Sequence, residues 1–326
     1  MNKKVWITLT IGLFLFCGVL AWQGVGAVMA GLKEASWRVF LLPLYAFIPL
    51  GMAVMAWQTL FIEKPLPFRK AFYPGVVGLS INWLLPTAQL GGEVARAHMN
   101  IQSGYSAHQA VAAGVVDKTM QLLTQIIFTM LGLTLLVLGY AGGSVALAIG
   151  IGAACFSIMV GLLIWAQSRG VFRLLAKSGS KFRRLTGDLT ENAETYDKEI
   201  RGLYGQGWAV FRSGAYRMAF RFLMIGEVYL AMQFIGHPVT FTEALILESL
   251  TQAIRVGAFF IPAAMGAQEG GLAVVGVMLG LTPESCVALA LCKRVRELSI
   301  GIPFILMWQS HQSRHLFRKK SEDAKD

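Results

Sequence analysis

Charge is scarce in this chain. Of its 326 residues, 14% are Asp, Glu, Lys or Arg, against about a quarter in an ordinary soluble domain. Whole stretches contain no Asp, Glu, Lys, Arg or His: Val5 to Leu32, Val39 to Ile62, Ala71 to Gly92, and the 50 residues from Thr119 to Ser168. A bilayer core about 30 Å thick needs roughly 20 apolar residues as helix, because no water is present there to satisfy open backbone amides. Such runs exclude a water-soluble fold. Cysteine is also sparse. Cys17, Cys155, Cys286 and Cys292 lie in apolar segments without paired spacing, which argues against disulfides or a metal cluster and for small buried core residues. No Gly-rich loop ending in Lys-Ser/Thr offers a seat for ATP, and no Asp-x-Asp pair offers metal-binding carboxylates. His311 and His315 stand four apart on a basic tail without a third ligand. The expectation is therefore a protein that is not an enzyme, with no catalytic set, no cofactor and no metal.

What charge there is has a pattern. The net charge is +11, with nine Lys/Arg between Arg169 and Arg212 and five more at Arg314, Arg318, Lys319, Lys320 and Lys325. No nucleic-acid motif accompanies them, so nucleic acid is not expected as a partner. Lys and Arg beside spans set orientation by staying cytoplasmic, and they also meet anionic lipid headgroups. The first apolar run is too long for a signal-peptide core of about 7–15 residues, so it is read as a retained span.

Counting sides then gives a topology. With Lys3-Lys4 inside, spans at about 5–30 and 38–62 bring Lys64, Arg69 and Lys70 back inside. Helices at about 107–139 and 144–166 follow, broken at Gly139-Tyr140-Ala141-Gly142-Gly143-Ser144, and lead to the basic loop 167–213. That loop stays inside only if 71–105 enters from the cytoplasm and returns, as a re-entrant hairpin. The chain leaves again at 214–236, and the final helix, about 283–309, must end inside at the basic tail 311–326. Residues 240–281, broken at Pro262, then form a second hairpin from the opposite face. The reading is an all-α polytopic membrane protein of a bacterial-type inner membrane. It has about six full spans plus two re-entrant helical hairpins in an inverted repeat, and both termini are cytoplasmic. Its parts are a first membrane half 1–166, the loop, a second half 214–310 and the tail. The mixed charges of Asp188 to Arg201 read as a solvated surface helix within the loop.

The two hairpins resemble each other. Residues 86–124 align without gaps on 262–300, placing Pro86 on Pro262, Glu93 on Glu269, Gly104 on Gly280, Ser106 on Thr282 and Lys118 on Arg294. Only 8 of 39 positions are identical; the spacing of proline, glutamate and distal base carries more weight. Proline breaks a helix, and at membrane depth broken backbone is tolerable only beside protein or water. Ser106 with Gln109 reads as a capping box, and Thr282 caps a helix whose first residue is Pro283. Paired broken helices meeting near the midplane are how inverted-repeat transporters build a substrate site.

Ionisable residues at membrane depth need a partner or a polar cavity. Asn82, Glu93, Arg96, Asp117, Lys118, Arg255, Glu269, Arg294 and Glu297 are read as substrate-binding, and Pro86, Gly92, Pro262 and Gly266 as hinges. Glu227, Glu248, Lys293 and Arg296 complete the charged set, with Glu269 and Glu248 the expected partners of the cations at 293–296. The competing reading is an ion-pair network that only holds the two halves together.

Asn82-Trp83-Leu84-Leu85-Pro86 and Gly91-Gly92-Glu93-Val94-Ala95-Arg96 resemble the membrane region of lysylphosphatidylglycerol synthases, a family of flippase-like integral membrane proteins. Pro262 to Gly271 and Lys293-Arg294-Val295-Arg296-Glu297-Leu298 resemble its hopanoid-biosynthesis-associated subgroup. The likeness spans nearly the whole chain. It implies movement of an amphipathic envelope lipid, a hopanoid or a phospholipid, between leaflets, and it marks Asn82, Pro86, Gly92, Glu93, Arg96, Pro262, Gly266, Glu269, Arg294 and Glu297. The 326 residues hold no counterpart of the synthases' soluble aminoacyl-transfer domain, so lysyl-lipid synthesis is not expected, and Asp117-Lys118 stands where many relatives show an acid followed by Arg. Three functions remain: a lipid translocase, a membrane transferase acting on a lipid, and a partner of lipid-synthesis enzymes.

Overall fold

The computed structural model describes residues 37–85, 90–139, 193–258 and 267–322, with the single positions 158 and 161; side chains of the last helix are described as far as His311. The span at 5–30, nearly all of that at 144–166, most of the basic loop, Cys17, Cys155, and the elbow residues Pro86, Pro262 and Gly266 lie outside the described residues.

The described residues are helical, with no strand among them. A 3-10 turn (Trp37–Leu41) opens into α1 (Leu42–Gln58). There follow α2 (Phe68–Leu84), α3 (Gly91–Gln102), α4 (Ala107–Gly139), α5 (Ala193–Gly205), α6 (Gly207–Phe234), α7 (Phe241–Gly257), α8 (Ala267–Met278) and α9 (Pro283–Glu322). The stretch Trp37–Gln58 and helix α4 are long and apolar enough to cross a bilayer. At 28 and 40 residues, α6 and α9 have the length as well, but both carry charges along their middles, and those charges are buried in the protein.

Helix α4 coincides with the expected 107–139. The expected break inside 240–281 separates α7 from α8. Helix α9 begins at Pro283 as expected but continues past 309 to Glu322, because nothing after Pro303 stops a helix.

Two helix pairs, α2 with α3 and α7 with α8, pack as hairpins. Their exits are alike. After α3, Gly104 has φ +82° and Tyr105 N–H donates to the Asn100 carbonyl at 3.1 Å. After α8, Gly280 has φ +79° and Leu281 N–H donates to the Gly276 carbonyl at 2.9 Å. A left-handed glycine closes orphan helix carbonyls in this way at no steric cost. Ser106 Oγ then accepts from Gln109 N–H at 3.1 Å, and Thr282 Oγ1 from Ser285 N–H at 3.3 Å. The aligned positions thus do the same local work. The expected reciprocal half of the Ser106 box does not form. The Gln109 amide faces the Glu63 and Lys64 N–H groups instead, with its oxygen accepting at 3.2 and 3.1 Å. The complete box belongs to Thr240 and Glu243 at the start of α7.

One apolar core joins Phe128, Leu133 and Leu136 of α4 to Ile225, Val228 and Met232 of α6 and Leu245 to Leu247 of α7. A second gathers Trp57, Phe61, Leu66, Tyr105 and Val116 with Ile200 and Leu203 of α5. The expected surface helix is present, with Lys198 and Arg201 exposed, but one of its faces is packed rather than solvated. Helix α5 packs on α4, its Tyr196 ring lies 4.7 Å from that of His108, and Asp197 is buried. The charges of 193–205 hid an apolar face at positions 196, 200 and 203, one helical turn apart. Cys286 and Cys292 are free and buried, the core role expected of them.

Candidate functional site

The first hairpin leans on a carboxylate. Asp117, wholly buried on α4, accepts from Arg217 Nε at 2.9 Å and Nη2 at 2.6 Å, and from Arg96 Nη2 at 2.8 Å. The Arg217 pair is bidentate, matching the planar fork to the carboxylate. Arg96 also bonds Glu93 one turn back on α3 and lies 4.4 Å over the Trp57 ring. Gly92 sits where α3 crosses α2. A Cβ there would fall 2.0 Å from the Gly78 carbonyl oxygen. Asn82 Oδ1 secures the crossing by accepting from Gly92 N–H at 2.9 Å.

The second hairpin leans on another carboxylate. Glu297, wholly buried on α9, accepts from Arg255 Nη1 of α7 at 2.6 Å and from Arg294 Nη1 at 3.1 Å. Arg294 Nη2 reaches Glu269 of α8 at 3.1 Å, and Arg255 Nη1 also reaches Gln268 at 2.8 Å. Lys293 bonds Glu248 of α7. The two acids expected to face the α9 cations do so. Arg296 takes a third, donating from Nε to Glu227 of α6 at 3.0 Å, and covers the Trp83 ring at 4.7 Å. The repeat keeps the sign of charge at Glu93 and Glu269 and at Lys118 and Arg294, and reverses it at Asp117 and Lys293.

Between the clusters lies a cavity of about 110 Å3, walled by α2, α4, α6, α7 and α9. Among the described residues its charged lining is Lys118, Arg217, Arg221, Arg255 and Arg296 with one carboxylate, Glu248. Of the expected site residues, Asn82, Lys118 and Arg255 line it. Asp117 and Glu297 stand behind the lining, holding Arg217 and Arg255; Arg96 joins Asp117, and Arg294 joins Glu297. Glu93 and Glu269 are the partly exposed outer partners, Glu269 at 32%.

Two charged lining residues escaped the sequence reading: Arg217 and Arg221. Both are buried. Arg221 donates to Thr124 Oγ1 at 3.1 Å, to the Gln121 carbonyl at 2.6 Å and to Gln125 Oε1. The signal was present, since two arginines four apart inside an apolar helix share one face. They stand near the start of the span read at 214–236, close to the basic loop 167–213.

Long helices that bury paired charges around a polar interior define a polytopic helical membrane protein. The chain belongs to the family described as the lysylphosphatidylglycerol synthase TM region, whose profile matches residues 7–303. It is thus an all-α integral membrane protein with a function related to membrane lipid. No curated protein and no solved structure matches it.

Proposed function

We propose that the protein is a translocase that carries an amphipathic envelope lipid, a hopanoid or a phospholipid, between the leaflets of a bacterial inner membrane. The observation that carries this reading is the cavity where the two hairpin units meet, cationic and walled by five helices. Sites enclosing a whole small molecule run to roughly 300–1,000 Å3. One of about 110 Å3 suits a headgroup whose tails remain in the bilayer. In this reading both hairpins are re-entrant, from opposite faces, the termini are cytoplasmic, and rocking of the halves exposes the cavity alternately. The basic loop meets anionic headgroups. The proposed transport involves no covalent step, and the engagement of the lining carboxylate Glu248 by Lys293 and Gln252 supports that reading.

Reconstitution into liposomes with headgroup-labelled lipids tests this. Leaflet exchange without a new lipid species is expected. Glu269→Gln and Arg294→Ala should abolish exchange and leave insertion intact, because Glu297 keeps Arg255 when Arg294 is removed. Unchanged exchange in both variants would remove these residues from the pathway. A new lipid species would mark a transferase, and neither result would leave a partner of lipid-synthesis enzymes.

A further inference from the structure

We infer that the cavity is a receptor for a phosphate group, held by Arg217 and Arg221, and that the cargo headgroup is anionic. The assignment deepens the translocase reading and rests on it for the lipid part of the ligand. Three observations carry it. Among the described residues the charged lining has five cations and one carboxylate, Glu248; Glu248 is bonded to Lys293, while Arg217, Arg255 and Arg296 have Asp117, Glu297 and Glu227 behind the lining. A cavity lined by a cation that no described carboxylate pairs with favours an anion.

Arg217 is 2% exposed. Its Nε and Nη2 are taken by Asp117, while Nη1 is buried with no hydrogen-bond partner. A buried guanidinium nitrogen left open is costly, and it belongs to a residue that lines the cavity. One turn along α6, Arg221 is 7% exposed and bonds only neutral acceptors, Thr124, Gln125 and the Gln121 carbonyl. Among the described residues no carboxylate pairs with it. The other lining arginines, Arg255 and Arg296, each have a glutamate. The charge of Arg221 is therefore the one that an incoming anion would neutralise. Guanidinium groups four residues apart can grip a tetrahedral oxyanion through separate oxygens. A neutral polyol or a cationic headgroup would leave this excess charge uncompensated.

The test is binding to the purified full-length protein in nanodiscs of uncharged lipid, read by isothermal titration. Dihexanoyl phosphatidic acid should bind saturably, and the neutral octyl glucoside should not. Arg221→Gln should weaken binding by about tenfold or more, the scale of one charge-assisted hydrogen bond. Arg221→Lys should give an intermediate loss, and it keeps the test valid should Gln at this position disturb folding. Arg212→Gln, at an exposed position on the same helix, should change nothing. Inorganic phosphate binding as tightly as the lipid would assign the site to free phosphate. Much weaker phosphate binding would assign it to a lipid headgroup; both results support a phosphate receptor. Equal binding of octyl glucoside, or unaltered affinity in the Gln and Lys variants alike, would overturn it. Failure of leaflet exchange with phosphate binding intact would instead overturn the translocase reading and leave the receptor standing.

Discussion

Asp117 and Glu297 are each fully buried; Asp117 holds Arg96 of α3 and Arg217 of α6, and Glu297 holds Arg255 of α7 with Arg294 and Arg296 of its own helix. Removing one partner of a buried pair strands the remaining charge, at about 3–5 kcal/mol. Asp117→Asn and Glu297→Gln should each lower the melting temperature of the detergent-solubilised protein steeply. Glu269→Gln should cost less than about 1 kcal/mol, because Glu269 is a third exposed and solvent screens such a pair. Equal losses in all three would show that burial does not set the strength of these pairs. Gly92→Ala tests the hairpin crossing. The added carbon would clash with the Gly78 carbonyl and with Asn82, so a loss of about 1–3 kcal/mol is expected from overpacking, read in the same melting experiment. Most buried charges could be read from sequence because a charge inside an apolar run is conspicuous. Arg217 and Arg221 share one face of an apolar helix but stand next to a basic loop, and only the packed structure shows that face turned inward. Nor does sequence show that Asn82 is spent partly on Gly92.

At the scale of elements, the break between α7 and α8, the start of α9 and the whole of α4 were legible. Each rests on a local rule: a proline, a cap or an uncharged run. The role of α5 was not, because its charged residues outweigh three apolar ones in composition while those three decide its packing. Ile200, 2% exposed, is the centre of that contact. Ile200→Asp should undock α5 and raise amide hydrogen exchange across 193–205, with exchange in α7 unchanged. Protection equal to that of the unaltered protein would mean that α5 is held by something other than this apolar face. The shared glycine closures after α3 and α8 show why the repeat could be detected despite low identity. Backbone geometry demands glycine at the turn and a hydroxyl at the next cap, while the flanking apolar residues are interchangeable.

For the whole molecule, the proposal depends on two hairpins that enter from opposite faces of the membrane and enclose a cationic cavity between them. Their exits, at Gly104 and Gly280, are locally identical, and an antiparallel plan puts them on opposite sides of the bilayer. Ser103 and Glu284 are exposed beside those exits and tolerate substitution better than the left-handed glycines. In a variant with Cys17, Cys155, Cys286 and Cys292 replaced, Ser103→Cys and Glu284→Cys should be introduced one at a time. Each is then treated with a membrane-impermeant thiol reagent in right-side-out and inside-out vesicles. Labelling of Ser103→Cys only in inside-out vesicles and of Glu284→Cys only in right-side-out vesicles is the expected result. Labelling of both from the same side would contradict the inverted arrangement and, with it, the alternating cavity.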